Sequence, residues 1–255
     1  MGPNIIEGYT SKSGHYYDKV REVAFKKGEL LGNLGTLVTE TADKSKFYSA
    51  DSFAVDNGVL IYQSKHNPLI AYRIYKDYAD CYYYDYNDYK FIQKLQDVQS
   101  NVLLTKFPTG VVTLDGNVIG QEIPYFSSCV SLDNFFEKYV NKNYIKIYRT
   151  ILDILKEMYD NGVLYLDIHS GNFIMNPNDY KFKINVNDFD EKYLSFDPTN
   201  KYTLGILLEN YRLLIESLNK IIGIDNKVPK LLKSDQFNDF YEQINDMEKR
   251  LIKTR

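Results

Sequence analysis

The stretch whose reading decides the fold is Gly162-Val163-Leu164-Tyr165-Leu166-Asp167-Ile168-His169-Ser170-Gly171-Asn172-Phe173-Ile174-Met175. An apolar run, Val163–Tyr165, reads as a strand that delivers Asp167 just past its end. A polar loop follows, and Asn172 stands five residues after Asp167, at the head of a second apolar run, Phe173–Met175. Lys181–Asn185 reads as a third strand, with Phe182, Ile184 and Val186 alternating, and leads into Asn187-Asp188-Phe189-Asp190. Two carboxylates and an amide oxygen therefore stand at strand ends, where they can converge on one point. Such hard oxygen donors suit Mg²⁺, which keeps positions for water and substrate phosphates.

Outward from this stretch the second half of the chain reads as helical. Tyr144–Asp160 is amphipathic, with Ile147, Ile151, Ile154, Leu155 and Met158 on one face and Asn161-Gly162 as its stop. Leu132–Tyr139, Tyr202–Ile222 and Asp235–Ile252 read as further helices. The first half reads mainly as strands. Phe53–Tyr62 holds Asn57-Gly58 between two β-prone runs, a hairpin signal. A turn at His66-Asn67-Pro68 leads into Leu69–Lys76, which makes three consecutive antiparallel strands. Residues 82–97 read as a helix with Phe91, Ile92 and Leu95 as its stripe. A second hairpin joins Gly110–Leu114 to Val118–Phe126 through Asp115-Gly116-Asn117. Residues 15–45 read as helical from the spacing of Val20, Val23, Ala24, Leu30, Leu31, Leu34, Leu37 and Val38, with Gly32 and Gly35 as helix breakers. Strands with one helix, followed by a helical half, predict an α+β protein of two lobes.

Composition excludes several classes. The 255 residues are 44% hydrophobic and 25% charged, which is globular rather than disordered. Lys+Arg at 31 against Asp+Glu at 34 gives a net charge of −3, which argues against a nucleic-acid partner. Cys81 and Cys129 make neither a zinc site nor a disulfide framework, so a reduced, cytoplasmic setting is expected. No apolar run reaches the ~18–20 residues of a membrane span, and the N-terminus carries no secretory pattern. The chain has 24 Tyr. The tyrosine-rich run Cys81–Tyr89 reads as a half-buried helix face, and His15 and His66 as surface residues.

In the protein kinase-like superfamily a catalytic loop reads His-Arg-Asp, then four residues, then Asn, and a later Asp-Phe-Gly holds metal. With Tyr165-Leu166-Asp167, Asn172 and Asp188-Phe189-Asp190, this chain resembles that superfamily over roughly residues 50–222. Its loop Asp-Ile-His-Ser-Gly-Asn is also similar to the Asp-Leu-His-Pro-Gly-Asn of aminoglycoside and related small-molecule phosphotransferases. The resemblance implies a bilobal kinase-like fold. Residues 1–45 would be an N-terminal helical extension, 46–126 an N-lobe of antiparallel sheet with one helix, and 127–255 a reduced, mainly helical C-lobe. It implies ATP and Mg²⁺ as cofactors, with Asp167 orienting and deprotonating the acceptor hydroxyl and Asn172 and Asp188 binding the metal. His169 would steady the transferring phosphoryl group.

The resemblance also assigns upstream residues. Ala71-Tyr72-Arg73 stands where kinases carry Ala-x-Lys, so Arg73 would reach the α- and β-phosphates from the strand face it shares with Ala71. Arginine is forked and bulkier than lysine, so the exchange is not neutral. Lys76 faces the other way. Asp88 takes the place of the helix Glu that partners this cation. Gly58, in the Asp56–Val59 hairpin and 15 residues before Arg73, is the candidate phosphate-covering glycine; Gly35 lies 38 residues before Arg73, too far for adjacent strands. Ile123 and Tyr125 fall where a kinase chain crosses between lobes and pairs its backbone with adenine. Asn200–Gly205 resembles the opening of a kinase core helix. Eleven residues, 189–199, separate Asp188 from Asn200, which leaves no room for a long activation segment. The implied function is a minimal serine/threonine protein kinase, of the kind found among bacterial effectors delivered into host cells, acting on a protein substrate there. Two other readings stand beside it. One is a small-molecule kinase, favoured by Asp-Ile-His-Ser-Gly-Asn. The other is a pseudokinase that binds a partner, favoured by Arg73, the sparse glycines and Leu166 in place of Arg.

Overall fold

Leu114-Asp115-Gly116-Asn117 makes a two-residue turn in which Asp115 and Gly116 both take positive φ, 49° and 77°. That handedness matches the twist of the strands it joins. The computed structural model of the chain describes residues 3–26, 35–37, 59–75, 89–139, 144–179, 181, 183–223 and 236–253. The chain divides into two units, residues 1–100 with 106–127, and residues 101–105 with 128–255. The whole is mixed α and β, with five α-helices among the described residues.

The first unit contains β1 (Asn4–Ile6), β2 (Tyr9–Thr10), β3 (Tyr16–Tyr17), β4 (Arg21–Phe25), β5 (Gly35–Leu37), β6 (Val59–Ser64) and β7 (Ile70–Tyr75). Helix α1 (Lys90–Val98) follows, then β8 (Gly110–Leu114) and β9 (Asn117–Pro124). Seven strands form one sheet in the order β1-β4-β8-β9-β7-β6-β5, while β2 and β3 pair by themselves. Tyr72 and Ile74 of β7 join Val23, Phe25, Tyr62, Val112 and Ile119 in a buried cluster. Ala71 and Arg73 belong by period two to the opposite face, and both are buried. Gly120 of β9 lies opposite Ile74. A Cβ there would collide with the Arg73 carbonyl, so glycine is what lets β9 lie against the strand that carries Arg73.

Three expectations are corrected here. The helix expected over 15–45, and with it a helical extension over 1–45, is replaced in the described residues by β3, β4 and β5. Val23 and Phe25 are buried at period two, and β4 takes β8 as a parallel partner, Arg21 opposite Gly110. A short apolar run suits either period, and pairing with a distant strand settles it. Gly35, expected to break a helix, lies in β5, which is the neighbour of β6 with Gly35 opposite Ser64. The sequence distance is a small obstacle, because loop-closure cost grows only with the logarithm of length. Last, the sheet is mixed rather than antiparallel, because of the β4–β8 pair. The expected strand at 53–55, Gly58, Lys76, Cys81 and Asp88 lie outside the described residues.

β9 also carries a buried charge. Glu122 is 1% exposed. It accepts from Arg21 Nη1 at 2.9 Å and from Thr109 Oγ1 at 2.6 Å. Backbone bonds follow the same path: Arg21 N–H donates to Thr109 O and Thr109 N–H to Glu122 O, both at 3.0 Å. A single carboxylate thereby ties β4 and the start of β8 to β9.

The second unit contains β10 (Val130–Ser131), α2 (Leu132–Lys138), α3 (Tyr144–Asp160), β11 (Leu164–Tyr165), β12 (Phe173–Met175) and β13 (Ile184–Val186). A 3₁₀ turn (Glu191–Tyr193), β14 (Leu194–Ser195), α4 (Lys201–Ile221) and α5 (Gln236–Lys253) complete it. β10, β12 and β13 form one small sheet, β11 and β14 another. α3 spans the expected residues and buries the expected face, Ile147, Ile151, Ile154, Leu155 and Met158 included. It stops at Gly162, whose φ of 83° suits glycine. Tyr148 OH donates to Asn219 Oδ1 and Tyr211 OH to Tyr148 O, both at 2.8 Å, which joins α3 to α4. Tyr241 of α5 donates to Asp153 of α3 at 2.7 Å. No helix among the described residues is long and apolar enough to cross a membrane.

Removing the half-buried Arg21 takes a charged donor from the buried Glu122 carboxylate and leaves it the Thr109 hydroxyl. Arg21→Ala is therefore expected to lower unfolding stability by about 1–3 kcal/mol, read by urea denaturation, whereas Arg21→Lys loses less. A midpoint unchanged in Arg21→Ala would contradict this account of the sheet.

Candidate active site

Asp167 leaves the end of β11 on a backbone held from both sides. Leu166 N–H donates to Tyr193 O at 2.8 Å, and Asn210 Nδ2 of α4 donates to Leu166 O at 2.7 Å. Beyond Asp167 the loop folds back on itself. Asn172 N–H donates to His169 O at 3.1 Å, and Leu132 N–H, at the start of α2, donates to Ser170 O at 3.1 Å. Asn172 is 2% exposed. Its Nδ2 donates to Asp167 O at 3.0 Å and to Asp167 Oδ2 at 2.8 Å. One buried amide thus fixes both the loop and the carboxylate.

His169 stands on the other oxygen, with Nε2 3.7 Å from Asp167 Oδ1, longer than a direct hydrogen bond. Gly171 N–H donates to His169 Nδ1 at 3.2 Å. An acceptor Nδ1 leaves the ring proton on Nε2, facing Asp167. Burial pushes the Asp167 carboxyl up; the His169 ring, the Asn172 amide and the Lys192 charge outweigh it and hold the group below its ordinary value. Asp167 is thus ionised across the neutral range.

The second loop is placed by the β12–β13 ladder. Phe173 lies opposite Val186, and Asn187 N–H continues the pairing by donating to Asn172 O at 2.9 Å. Asp188 follows one residue on, 8% exposed. Below the loops the Tyr165 ring lies 5.3 Å from that of Phe189 and 6.3 Å from that of Phe173. All three rings are buried. This aromatic group joins the strand before Asp167, the strand after Asn172 and the residue after Asp188.

Asp167, His169, Asn172 and Asp188 are therefore brought together within the second unit. Arg73, Ala71, Ile123 and Tyr125 belong to the first unit. Ala71 and Ile123 are direct cross-strand partners, and both are buried. Arg73 lies opposite Gln121. Tyr125 N–H donates to Leu69 O at 2.8 Å, so that amide is already engaged within the first unit. Gly58 and Asp88 lie outside the described residues.

Three residues went unnoticed in the sequence. Asn210 and Tyr193 brace Leu166, and Lys192 acts on Asp167. Asn210 is 44 residues from its partner, and a single Asn in an amphipathic helix gives no signal. Asn200, read as a variant of a core-helix opening, caps α4 by accepting from Tyr202 N–H at 3.1 Å and Thr203 N–H at 3.2 Å.

Among the described residues no three His, Cys, Asp or Glu side chains gather into a metal-holding group. The expected ligands are instead one carboxylate, Asp188, and one amide, Asn172. With Nδ2 committed to Asp167, the Asn172 oxygen is the atom left to meet a cation. This short oxygen set fits Mg²⁺, which takes one or two protein donors and fills its octahedron with water and phosphate. No protein-family model matches the chain, and no curated protein matches it.

Asn210→Ala removes one neutral hydrogen bond at Leu166. It is expected to cost about 1 kcal/mol of stability and to speed amide hydrogen exchange across residues 166–172. Protection unchanged in that loop would show that α4 does not brace it.

Proposed function

We propose that the chain is an ATP- and Mg²⁺-dependent phosphotransferase that acts on a serine or threonine hydroxyl of a protein. The observation that carries this reading is the Asp167 carboxylate, ionised and locked by the buried Asn172 amide, with Asp188 on the adjoining strand end. In this reading the acceptor hydroxyl donates a hydrogen bond to Asp167, which aims its oxygen at the γ-phosphorus. The acceptor oxygen forms the new bond, the bond to the β–γ bridging oxygen breaks, ADP leaves with that electron pair, and the acceptor proton ends on Asp167. A carboxyl held below its ordinary value is a weak proton acceptor, so orientation is its larger contribution. Mg²⁺ held by Asn172 and Asp188 would neutralise charge on the phosphates. In the first unit, Arg73 would meet phosphate and the paired Ala71 and Ile123 would offer an apolar face to the base.

The element order supports the reading as well. Strands β5, β6 and β7, helix α1 and the β8–β9 hairpin run in the sequence that a kinase-like N-lobe requires. The short segment between Asp188 and α4 is built into β14 and a capped turn, so it needs no phosphate to order it. His169, turned onto Asp167 in an Asp-Ile-His-Ser-Gly-Asn loop, favours a small-molecule acceptor as the second reading.

Asp167→Ala is expected to reduce phosphate transfer by about 10²–10⁴-fold while Mg²⁺–nucleotide binding survives. Asp188→Ala is expected to lose Mg²⁺-dependent nucleotide binding by calorimetry. Labelling of a protein acceptor such as casein, against a panel of hydroxylated metabolites and aminoglycosides, separates the two acceptor classes. A purified wild-type chain that turns over no ATP with any acceptor would leave a binding module without chemistry.

A further inference from the structure

Arg73 is 6% exposed, and a guanidinium drawn that far from water needs acceptors for its N–H groups. The sheet shows which side chain is in place to serve it. Arg73 lies directly opposite Ile61 of β6 on one side and Gln121 of β9 on the other. Directly opposed residues share a face. Ile61 is apolar. Gln121, 3% exposed, brings an amide whose oxygen accepts hydrogen bonds.

The carboxylates of the neighbouring strands are committed elsewhere. Glu122 lies opposite Tyr72 and so belongs to the other face of the sheet, where it accepts from Arg21 and Thr109. Glu22 of β4 shares the Arg73 face through Val111 and Gln121, but it stands three strand spacings away, about 14 Å. Its Oε1 accepts from Thr113 Oγ1 at 2.7 Å. One face of the sheet thus carries an arginine paired with a carboxylate, Arg21 with Glu122. On the other face the polar residue directly across from the arginine is neutral. A carboxylate would hold the guanidinium and cancel its charge. An amide oxygen holds it and leaves the charge to act on an anion.

Resting on the phosphotransferase reading above, we propose that Gln121 is a positioning residue for Arg73: its side-chain oxygen accepts from the guanidinium and aims it, with its charge uncancelled, at the phosphates of Mg²⁺·ATP. Gln121 acts through Arg73 and does not itself meet the phosphates. Arg73 thereby takes its partner from the next strand of its own sheet. A strand neighbour is fixed by the ladder, so the guanidinium is held in place before the nucleotide arrives, and less freedom is lost on binding.

The test measures binding of Mg²⁺·ATP and of adenosine to the full chain by calorimetry. Arg73→Met is expected to weaken ATP binding about tenfold. Gln121→Leu removes the acceptor and Gln121→Glu cancels the charge, and each is expected to weaken ATP binding about tenfold as well. Adenosine binding stays within about threefold of wild type in all three. In the Arg73→Met background, either substitution at Gln121 is expected to change ATP binding by less than about threefold, because the group it acts through is gone. A merely structural role would lower ATP and adenosine binding together and would persist without Arg73. Melting temperatures check folding, and Gln121→Glu, which keeps an acceptor beside Arg73, carries the test where Gln121→Leu does not fold. Full ATP affinity in Gln121→Glu overturns the assignment while leaving the phosphotransferase reading standing. A loss that persists in the Arg73→Met background, or that adenosine shares, does the same. Full ATP affinity in Arg73→Met overturns the assignment together with the phosphate role of Arg73. A wild-type chain that binds no Mg²⁺·ATP overturns both the assignment and the reading beneath it.

Discussion

The Asn172 amide lies buried beneath the Asp167 loop and gives hydrogen bonds to both the backbone carbonyl and the carboxylate of one residue. Burying an amide unsatisfied costs several kcal/mol in an apolar setting, so the loop can close only in the shape that supplies both acceptors. Loop conformation and carboxylate orientation are therefore one event. The same residue immediately precedes β12, and its backbone oxygen accepts from Asn187, which sets Asp188 one residue further along. Moving Asn172 would move the first loop, the second loop and the strand between them together.

That small assembly depends on what surrounds it. α4 reaches Leu166 through Asn210, α2 begins on Ser170, and Tyr193 at the end of the 3₁₀ turn holds Leu166 from the other side. Tyr165, Phe173 and Phe189 fill the space under the loops, and rings packed in this way hold their strands at fixed spacing. Irregular backbone is tolerated because helices and short ladders satisfy its polar groups. In the first unit the same role falls to Glu122. Its buried carboxylate ties β4 and the start of β8 to β9, and β9 in turn flanks β7, where Ala71 and Arg73 sit.

What could be read from the sequence was what short-range chemistry decides. The spacing in Tyr144–Asp160 and the Asn-Gly stop suffice for α3, because an amphipathic helix carries its own period. Asp115-Gly116 suffices for the β8–β9 turn, because few residue pairs tolerate positive φ twice. That Asp167, Asn172 and Asp188 flank strands was legible because each borders an apolar run. β4 was misread because its partners, β1 and β8, are not written in its own five residues. β5 was misread because glycine in a strand resembles glycine breaking a helix until β6 is found beside it. Asn210, Lys192 and Glu122 act across 44, 25 and 101 residues of chain, respectively, and a polar side chain carries no mark of a partner so far away.

The electrostatics of the loop constrain what chemistry it can support. Asp167 is held below its ordinary carboxyl value although burial alone would raise it, so donors and nearby positive charge dominate its surroundings. A group tuned to take protons would be arranged the other way, with its charged form disfavoured. The donors aimed at Asp167 preserve the anion and fix its direction, which suits a residue that orients a hydroxyl rather than one that strips it early. Phosphoryl transfer through a loose transition state asks for such an orienting anion, since the acceptor proton leaves late. The geometry of a single buried amide and the demands of the proposed reaction meet at the same carboxylate.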